Sequence, residues 1–330
     1  MNSPSPSHLH HVRIAPGEST TLAEDVRRGL SASPRRLPFR LLYDKVGSEL
    51  FLHITEQPEY YQTRTERALL SFIADEVINR SGAEELVELG SGASTKTRVM
   101  LDAMERAGQL RWYVPFDVSE GIVRRVAGEL TSEYDGLSIH GIIGDFVKQL
   151  HTIPREGRRL ILFLGGTIGN FNELQARRFL RGVHDILEPG EHLLLGTDLI
   201  KDEKRLHAAY NDSRNITAEF NRNILRVLNA QAGGNFDPQA FEHEAIYNSE
   251  KHRIELWLRA TRAQEVHLQE LALTMYLEKG SRILTEISVK FDRQLIEDIL
   301  VQSGLELEAM YTDAHADFAL NLIRRPENPA

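Results

Sequence analysis

The sequence predicts an α/β fold: a doubly wound, mostly parallel sheet covered by helices on both faces, joined to a second, smaller α+β unit. Three observations carry this prediction. Short apolar runs near 85–89, 111–116, 137–143, 159–164 and 192–197 alternate with amphipathic segments near 95–107, 119–133 and 173–187. The first run ends in Gly90-Ser91-Gly92, the turn chemistry of a strand that stops beneath a ligand. Residues 250–290 interrupt the alternation with what reads as antiparallel strands and short turns, after which a helix and two strands resume the first pattern.

Taken in order, residues 1–18 are biased to Ser, Pro and His and are expected to be a flexible tail. His8, His10 and His11 lack an accompanying carboxylate cluster, so no metal site is expected there. Residues 20–80 read as helices: LAEDVRRGL, GSELFLHIT and a long amphipathic run from Arg64 to Asn79, broken by Pro58 and Tyr60-Tyr61. One helix is expected over 202–230, after the fifth strand. The closing helix and strands come from QLIEDILVQSGLELEAMY and DFALNLIRR. An interruption of this kind suggests a module inserted into the main sheet. The N-terminal ~60 residues are expected to pack with it, which divides the chain into 19–63 with 201–290 and 64–200 with 291–330.

Composition narrows the function classes. The 330 residues are 41% hydrophobic and 26% charged, ordinary for a globular protein with a real core. A net charge of −9 argues against a nucleic-acid partner, which would need clustered basic residues. There is no cysteine, so disulfides and thiolate metal sites are excluded and a cytoplasmic setting is expected. Apolar runs are too short for a membrane span, and the N-terminus has no apolar signal core. A monomer with a small-molecule substrate is expected, with no membrane partner.

The ligand loop excludes one cofactor class and favours another. A dinucleotide fingerprint would place a third glycine where Thr95 stands. S-adenosylmethionine has a ribose and an amino-acid tail but no phosphate, so it does not need that glycine. Asp117 ends the second strand, where an acid accepts from a ribose diol. Lys96, just past the loop, is placed to meet the tail's carboxylate.

Other strand ends leave alternatives open. Gly165-Gly166-Thr167-Ile168-Gly169-Asn170 reads either as a Gly-rich turn capped by Asn170 or as a close approach to a ligand. Asp145 in Gly144-Asp145-Phe146 is equally natural as a helix N-cap and as a polar bracket for an adenine, with Phe146 as the ring. Glu286 and Ser288 alternate onto one strand face, either solvated or gripping a ligand with two nitrogens. Tyr210, taken alone, reads as a packing residue.

These motifs together resemble the S-adenosylmethionine-dependent L-histidine Nα-methyltransferases of ergothioneine biosynthesis. The resemblance runs from LLYDKVGSELF (41–51) through ITEQPEYYQTR (54–64), VELGSGAST (87–95), VPFDVS (114–119), GDF (144–146), FLGGTIGNF (163–171), LLGTDLIKD (194–202), TAEFNRNIL (217–225) and LTEISVKF (284–291) to DFALNLI (317–323). It implies a Rossmann-like class I methyltransferase sheet with a smaller lobe over the amino acid. By position, Tyr60, Gly90, Lys96, Asp117, Asp145 and Phe146 resemble the family's cofactor-side residues, and Glu88 is counted with them. Asn170 and Tyr210 resemble residues that hold the substrate α-carboxylate, and Gly165 and Thr167 lie near the α-amine. Glu286 and Ser288 resemble the pair that reads the imidazole, with Tyr43, Phe51 and Tyr60 as pocket walls. Leu256 stands where methionine is expected and departs from the pattern.

What the resemblance implies chemically is methyl transfer from a sulfonium to a neutral amine, in three rounds, giving Nα-trimethylhistidine. The electrophile is already activated, so positioning and exclusion of water are the protein's main tasks, with no metal. Asn170, by holding the α-carboxylate, is expected to fix the place of the amine, and either Tyr43 or an ordered water is expected to carry its proton away. The rival readings are a same-fold N-methyltransferase acting on another amino acid such as tryptophan, a nicotinamide-dependent oxidoreductase, and a non-catalytic ligand-binding module.

Overall fold

The computed structural model describes residues 10–16, 22–92 and 96–327; His8 and Thr95 lie outside these. From the N-terminus, β1 (His10–Ile14) precedes α1 (Leu22–Leu30), the two-residue β2 (Arg35–Arg36), α2 (Lys45–Thr55) and α3 (Gln62–Ser81). The alternation follows: β3 (Glu85–Leu89), α4 (Thr97–Arg106), β4 (Trp112–Asp117), α5 (Glu120–Glu133), β5 (Ser138–Ile143), the short α6 (Phe146–Gln149), β6 (Arg159–Phe163), α7 (Glu173–Ile186) and β7 (His192–Asp198). Then come α8 (Glu203–Tyr210), α9 (Ile216–Ala232), β8 (Phe241–Asn248), β9 (Arg253–Ala260), β10 (Gln264–Leu268), β11 (Leu273–Leu277) and β12 (Arg282–Val289). Finally, α10 (Arg293–Gln302), β13 (Glu306–Thr312) and β14 (Phe318–Arg324) close the chain.

Eight strands form one sheet in the order β1-β5-β4-β3-β6-β7-β14-β13. β1 and β3 to β7 run parallel, and β14 is antiparallel to both β7 and β13. Every residue of β3, β6 and β7 is buried, as expected of parallel strands covered on both faces. One face packs Val87, Val114, Phe163 and Leu195 with α7 and α10. The other packs Leu86, Tyr113, Leu160 and Leu194 with α3, α4 and α5. The chain departs on either side of the central β3, so the crevice at the carboxyl ends of β3 and β6 is the ligand position for such a sheet.

A second sheet, β2-β12-β9-β8, and the β10-β11 hairpin stand on the other lobe. Their core joins Val26, Leu37, Leu42, Ile54 and Tyr60 from the N-terminal segment to Phe220, Leu228, Phe241, Leu258 and Ile283. Both segments contribute buried side chains to that core.

Two expectations change. Within the tail expected over 1–18, residues 10–14 are a strand, adding to the β5 edge from His10 opposite Ile139 to Ile14 opposite Ile143. The apolar positions Val12 and Ile14 alternate, and Gly141 leaves room for Val12. The single helix expected over 202–230 is two. Asn215 takes a left-handed conformation, φ 58°, and the Asp212 carboxylate accepts from the Ile216 and Thr217 amides at 2.8 and 2.7 Å. Asp and Asn at those positions are the local signals for that break.

The pairing of β12 with β9 shifts register between Leu284 and Glu286, bulging the strand at Thr285. Buried Asn221 of α9 holds this bulge. Its Oδ1 accepts from Thr285 Oγ1 at 2.6 Å, and its Nδ2 meets the Trp257 carbonyl at 3.2 Å and His243 Nδ1 at 2.9 Å. Asn221→Ala is expected to leave these buried groups unpaired and to destabilise the protein by about 1–3 kcal/mol. Urea denaturation with an unchanged m-value and an unchanged midpoint would contradict that role.

Candidate active site

The described part of the β3 turn brings two glycines against the acid that ends β4. Gly90 takes φ 73° and Gly92 φ 48°, a path closed to most side chains. The Gly92 amide donates to Asp117 Oδ2 at 3.0 Å, and the Ser119 amide donates to Oδ1 at 3.0 Å. Two backbone donors leave acceptor capacity on that carboxylate for a diol. Phe146 lies beside Gly90, 3.6 Å from where a Cβ would stand, and packs edge-on against Phe163 with centroids 5.6 Å apart. Asp145 caps α6 through the Val147 amide at 3.0 Å, so its N-cap reading is realised. Glu88 faces inward, accepting from Tyr113 Oη at 2.6 Å and from Thr97 Oγ1. Burial raises Glu88 to about 7 against those two donors. These residues suit the ribose, adenine and amino-acid tail of S-adenosylmethionine.

Lys96 does not wait unpartnered for a carboxylate. Its ammonium is paired with Glu66, a fully buried residue of α3. The other oxygen of Glu66 accepts from the Gly165 amide at 2.7 Å. One carboxylate therefore ties the residue after the cofactor loop to the loop after β6. Gly196 makes room for it, since a Cβ there would lie 2.3 Å from Glu66 Oε1.

The structure brings the substrate-side residues together. Asn170 Nδ2 donates to Glu286 Oε1 at 2.6 Å and to the Ile287 carbonyl at 2.8 Å. Both amide hydrogens are thereby engaged, so Asn170 offers a ligand its carbonyl oxygen. Thr167 turns its hydroxyl back to the Leu164 carbonyl at 2.9 Å. Tyr210 Oη meets Ser288 Oγ at 2.8 Å. Tyr43, Phe51, Tyr60 and Tyr210 form an aromatic wall completed by Phe220, with Tyr43 to Phe220 centroids 5.5 Å apart and Tyr60 to Tyr210 centroids 6.5 Å apart. Arg64 fixes the turn before α3 by donating to the carbonyls of Gln57, Pro58 and Tyr60. Burial pushes Tyr43 and Tyr60 well above the ordinary tyrosine value, so both stay neutral phenols. Leu256 lies opposite Glu286 across the β9-β12 pair and packs with Leu206, Ala245, Ile254 and Tyr210.

Beneath this wall runs a charged network that the site-residue assignment had missed. Lys290 is fully buried and donates to Asp198 Oδ2 at 2.7 Å, Ser288 Oγ at 2.8 Å and Tyr210 Oη at 2.9 Å. Asp198 also accepts from Tyr61 Oη at 2.9 Å and from Lys201. Burial opposes its charge, but Lys290 and Lys201 outweigh that and hold it below the usual carboxylate range. A signal for Lys290 was present: Glu286, Ser288 and Lys290 follow the same two-residue period. Glu66 carried none, because one carboxylate on a helical heptad looks like any solvated position.

Residues 22–325 match the family model described as histidine-specific methyltransferase, SAM-dependent. The chain belongs to this family. It is 47% identical to a histidine N-alpha-methyltransferase of Mycolicibacterium smegmatis, over 96% of this chain and 99% of that protein. It is 46% identical to the protein of the same name from Mycobacterium tuberculosis, over 91% and 94%. It is 32% identical to ergothioneine biosynthesis protein 1 of Neurospora crassa, over 88% of this chain and 33% of that longer protein.

Glu286, like Glu88, is raised by burial to about 7, with Asn170 and Lys290 pulling the other way. Between the ordinary value of 4.5 and about 7, the folded protein keeps protons that the unfolded chain releases. The stability from these two groups is full below the lower value and lost as pH rises through the upper one. Glu286→Gln and Glu88→Gln are each expected to flatten the fall in thermal midpoint across that window. Scanning calorimetry giving wild-type slopes in both variants would contradict it.

Proposed function

We propose that the protein transfers methyl groups from S-adenosylmethionine to the α-amine of L-histidine, in three rounds, giving Nα-trimethyl-L-histidine. The observation that carries this reading is the convergence of Asn170, Glu286, Ser288 and Tyr210 on one pocket beside the β6 loop. That loop is tied through Glu66 to Lys96 at the cofactor turn. Residues 19–63 and 201–290 serve as the substrate-binding domain on the cofactor-binding sheet.

S-adenosylmethionine supplies an electrophilic methyl group on a sulfonium. The chain's own residues hold and orient the amine. Asp117 anchors the ribose, and Gly90 and Phe146 border the nucleoside. Glu286 accepts from one imidazole N–H, and Ser288 addresses the other ring nitrogen. Tyr210 donates to the α-carboxylate. The Asn170 carbonyl oxygen accepts from the amine and so fixes the direction of its lone pair. In each round the C–N bond forms as the S–CH3 bond breaks. The amine must be neutral each time, so one proton leaves to solvent as histidine binds and one more after each of the first two transfers. Tyr43, a neutral phenol, lines the pocket and orients the amine but does not act as the base. Successive rounds need space for the methylated amine to rotate between Tyr43, Gly165 and Thr167.

Mass spectrometry of histidine incubated with the protein and S-adenosylmethionine is expected to show mono-, di- and trimethylated products in sequence. Methylation of a different amino acid, with histidine untouched, would overturn the reading. Asp117→Ala is expected to weaken S-adenosylmethionine by about 1–3 kcal/mol, because a charged acceptor is lost. Calorimetry with unchanged affinity would remove Asp117 from the site. Glu286→Ala is expected to raise the histidine KM by about 10-fold or more while sparing cofactor affinity, because a buried ring nitrogen loses its partner. Equal damage to both ligands would contradict an imidazole-reading role.

A further inference from the structure

Lys290, just past β12, is buried with all three ammonium hydrogens placed on Asp198, Ser288 and Tyr210. Asp198 divides one negative charge between two ammonium groups, Lys290 and Lys201, the second lying 4.7 Å from the centre of the Tyr61 ring. Arg205, also over that ring, is paired with Asp317. Lys290 and Lys201 are buried, whereas Arg205 is half exposed. Glu286 also acts on Lys290, and Asn170 holds it on the ring-reading side. A buried ammonium attracts an anion strongly, because little water screens it.

The path from Lys290 to the pocket is specific. A lysine only donates, so the oxygens of Tyr210 and Ser288 both act as acceptors toward it. The Tyr210 hydroxyl itself donates to Ser288 Oγ at 2.8 Å. Lys290 also lies 4.7 Å from the Tyr210 ring centre, holding the ring as well as its oxygen. An anion that takes the Tyr210 hydrogen in place of Ser288 is one hydroxyl away from the buried Lys290 ammonium.

We propose that Lys290 is the positioning residue for the substrate α-carboxylate, its buried charge, relayed through Tyr210, selecting an amino acid over the same amine without a carboxylate. This rests on the histidine reading above. A purely structural Lys290 would join the two lobes through Asp198 and would not distinguish the two amines.

The test compares histidine with histamine, which keeps the ring and the amine and lacks the carboxylate. Each is titrated calorimetrically into the full chain saturated with S-adenosylhomocysteine, and kcat and KM are measured wherever turnover occurs. The wild type is expected to bind histidine well above histamine. Lys290→Met is expected to weaken histidine by about 10-fold or more while changing histamine little, since only the carboxylate loses its charged support. S-adenosylmethionine affinity is expected to stay as in wild type. Lys290→Arg is expected to retain most of the preference for histidine. Asp198 keeps Lys201 and Tyr61 in Lys290→Met. If that variant nevertheless fails to fold, Tyr210→Phe breaks the relay with the Lys290–Asp198 pair intact, and the same selective loss is expected. Equal loss of both ligands in the folded variant overturns the proposal. A wild-type protein that binds neither histidine nor histamine overturns the histidine reading instead.

Discussion

A buried carboxylate cannot stay charged without partners, and Asp198 draws its partners from both lobes. It ends β7 of the large sheet. Tyr61 reaches it from the start of α3, Lys201 from the following loop, and Lys290 from the end of the small sheet. The backbone repeats the junction, with the Phe291 amide donating to the Asp198 carbonyl at 2.9 Å. Lys290 carries that pairing onto the end of β12, so the position of the strand is fixed by electrostatics as much as by apolar packing. The site inherits that fixity, because Ser288 and Glu286 lie on the same strand.

For a reaction whose electrophile arrives activated, fixity is what catalysis requires. Within the large sheet, Glu66 couples the turn after β3 to the loop after β6. With Lys96 on one oxygen and the Gly165 amide on the other, a shift of either loop is felt by the other. The aromatic wall adds bulk without charge. In the proposed reaction the amine is met by a carbonyl oxygen and phenols rather than by a carboxylate that would favour the ammonium form.

Much of the fold was legible because period and punctuation agreed along the chain. The five parallel strands were placed by apolar runs ending in Gly, Asp or Asn. The small sheet was visible as an interruption. What was missed has specific causes. The strand at His10–Ile14 is short and flanked by Ser and Pro, and it becomes a strand only because β5 offers an open edge. The split between α8 and α9 was written in Asp212 and Asn215 but hidden by amphipathic sequence on both sides. In the site, Glu286 and Ser288 could be paired by spacing alone. That Asn170 spends both amide hydrogens on Glu286 and Ile287 depends on how β12 approaches the β6 loop, which no local pattern encodes. Asp145 was ambiguous by sequence, and the geometry gives it to the helix cap.

The second core has a consequence for how the chain reaches this structure. Leu37, Leu42 and Ile54 leave the ribosome early, yet their partners Phe220, Phe241 and Ile283 follow only after strands β3 to β7. The large sheet can begin to assemble while the N-terminal helices still present an uncovered apolar face. Closing so long a loop adds only slowly to the entropic cost, but the wait itself is long. Synthesis therefore passes through a species with a half-built second lobe, and that interval is when the chain is most exposed to aggregation and to chaperones.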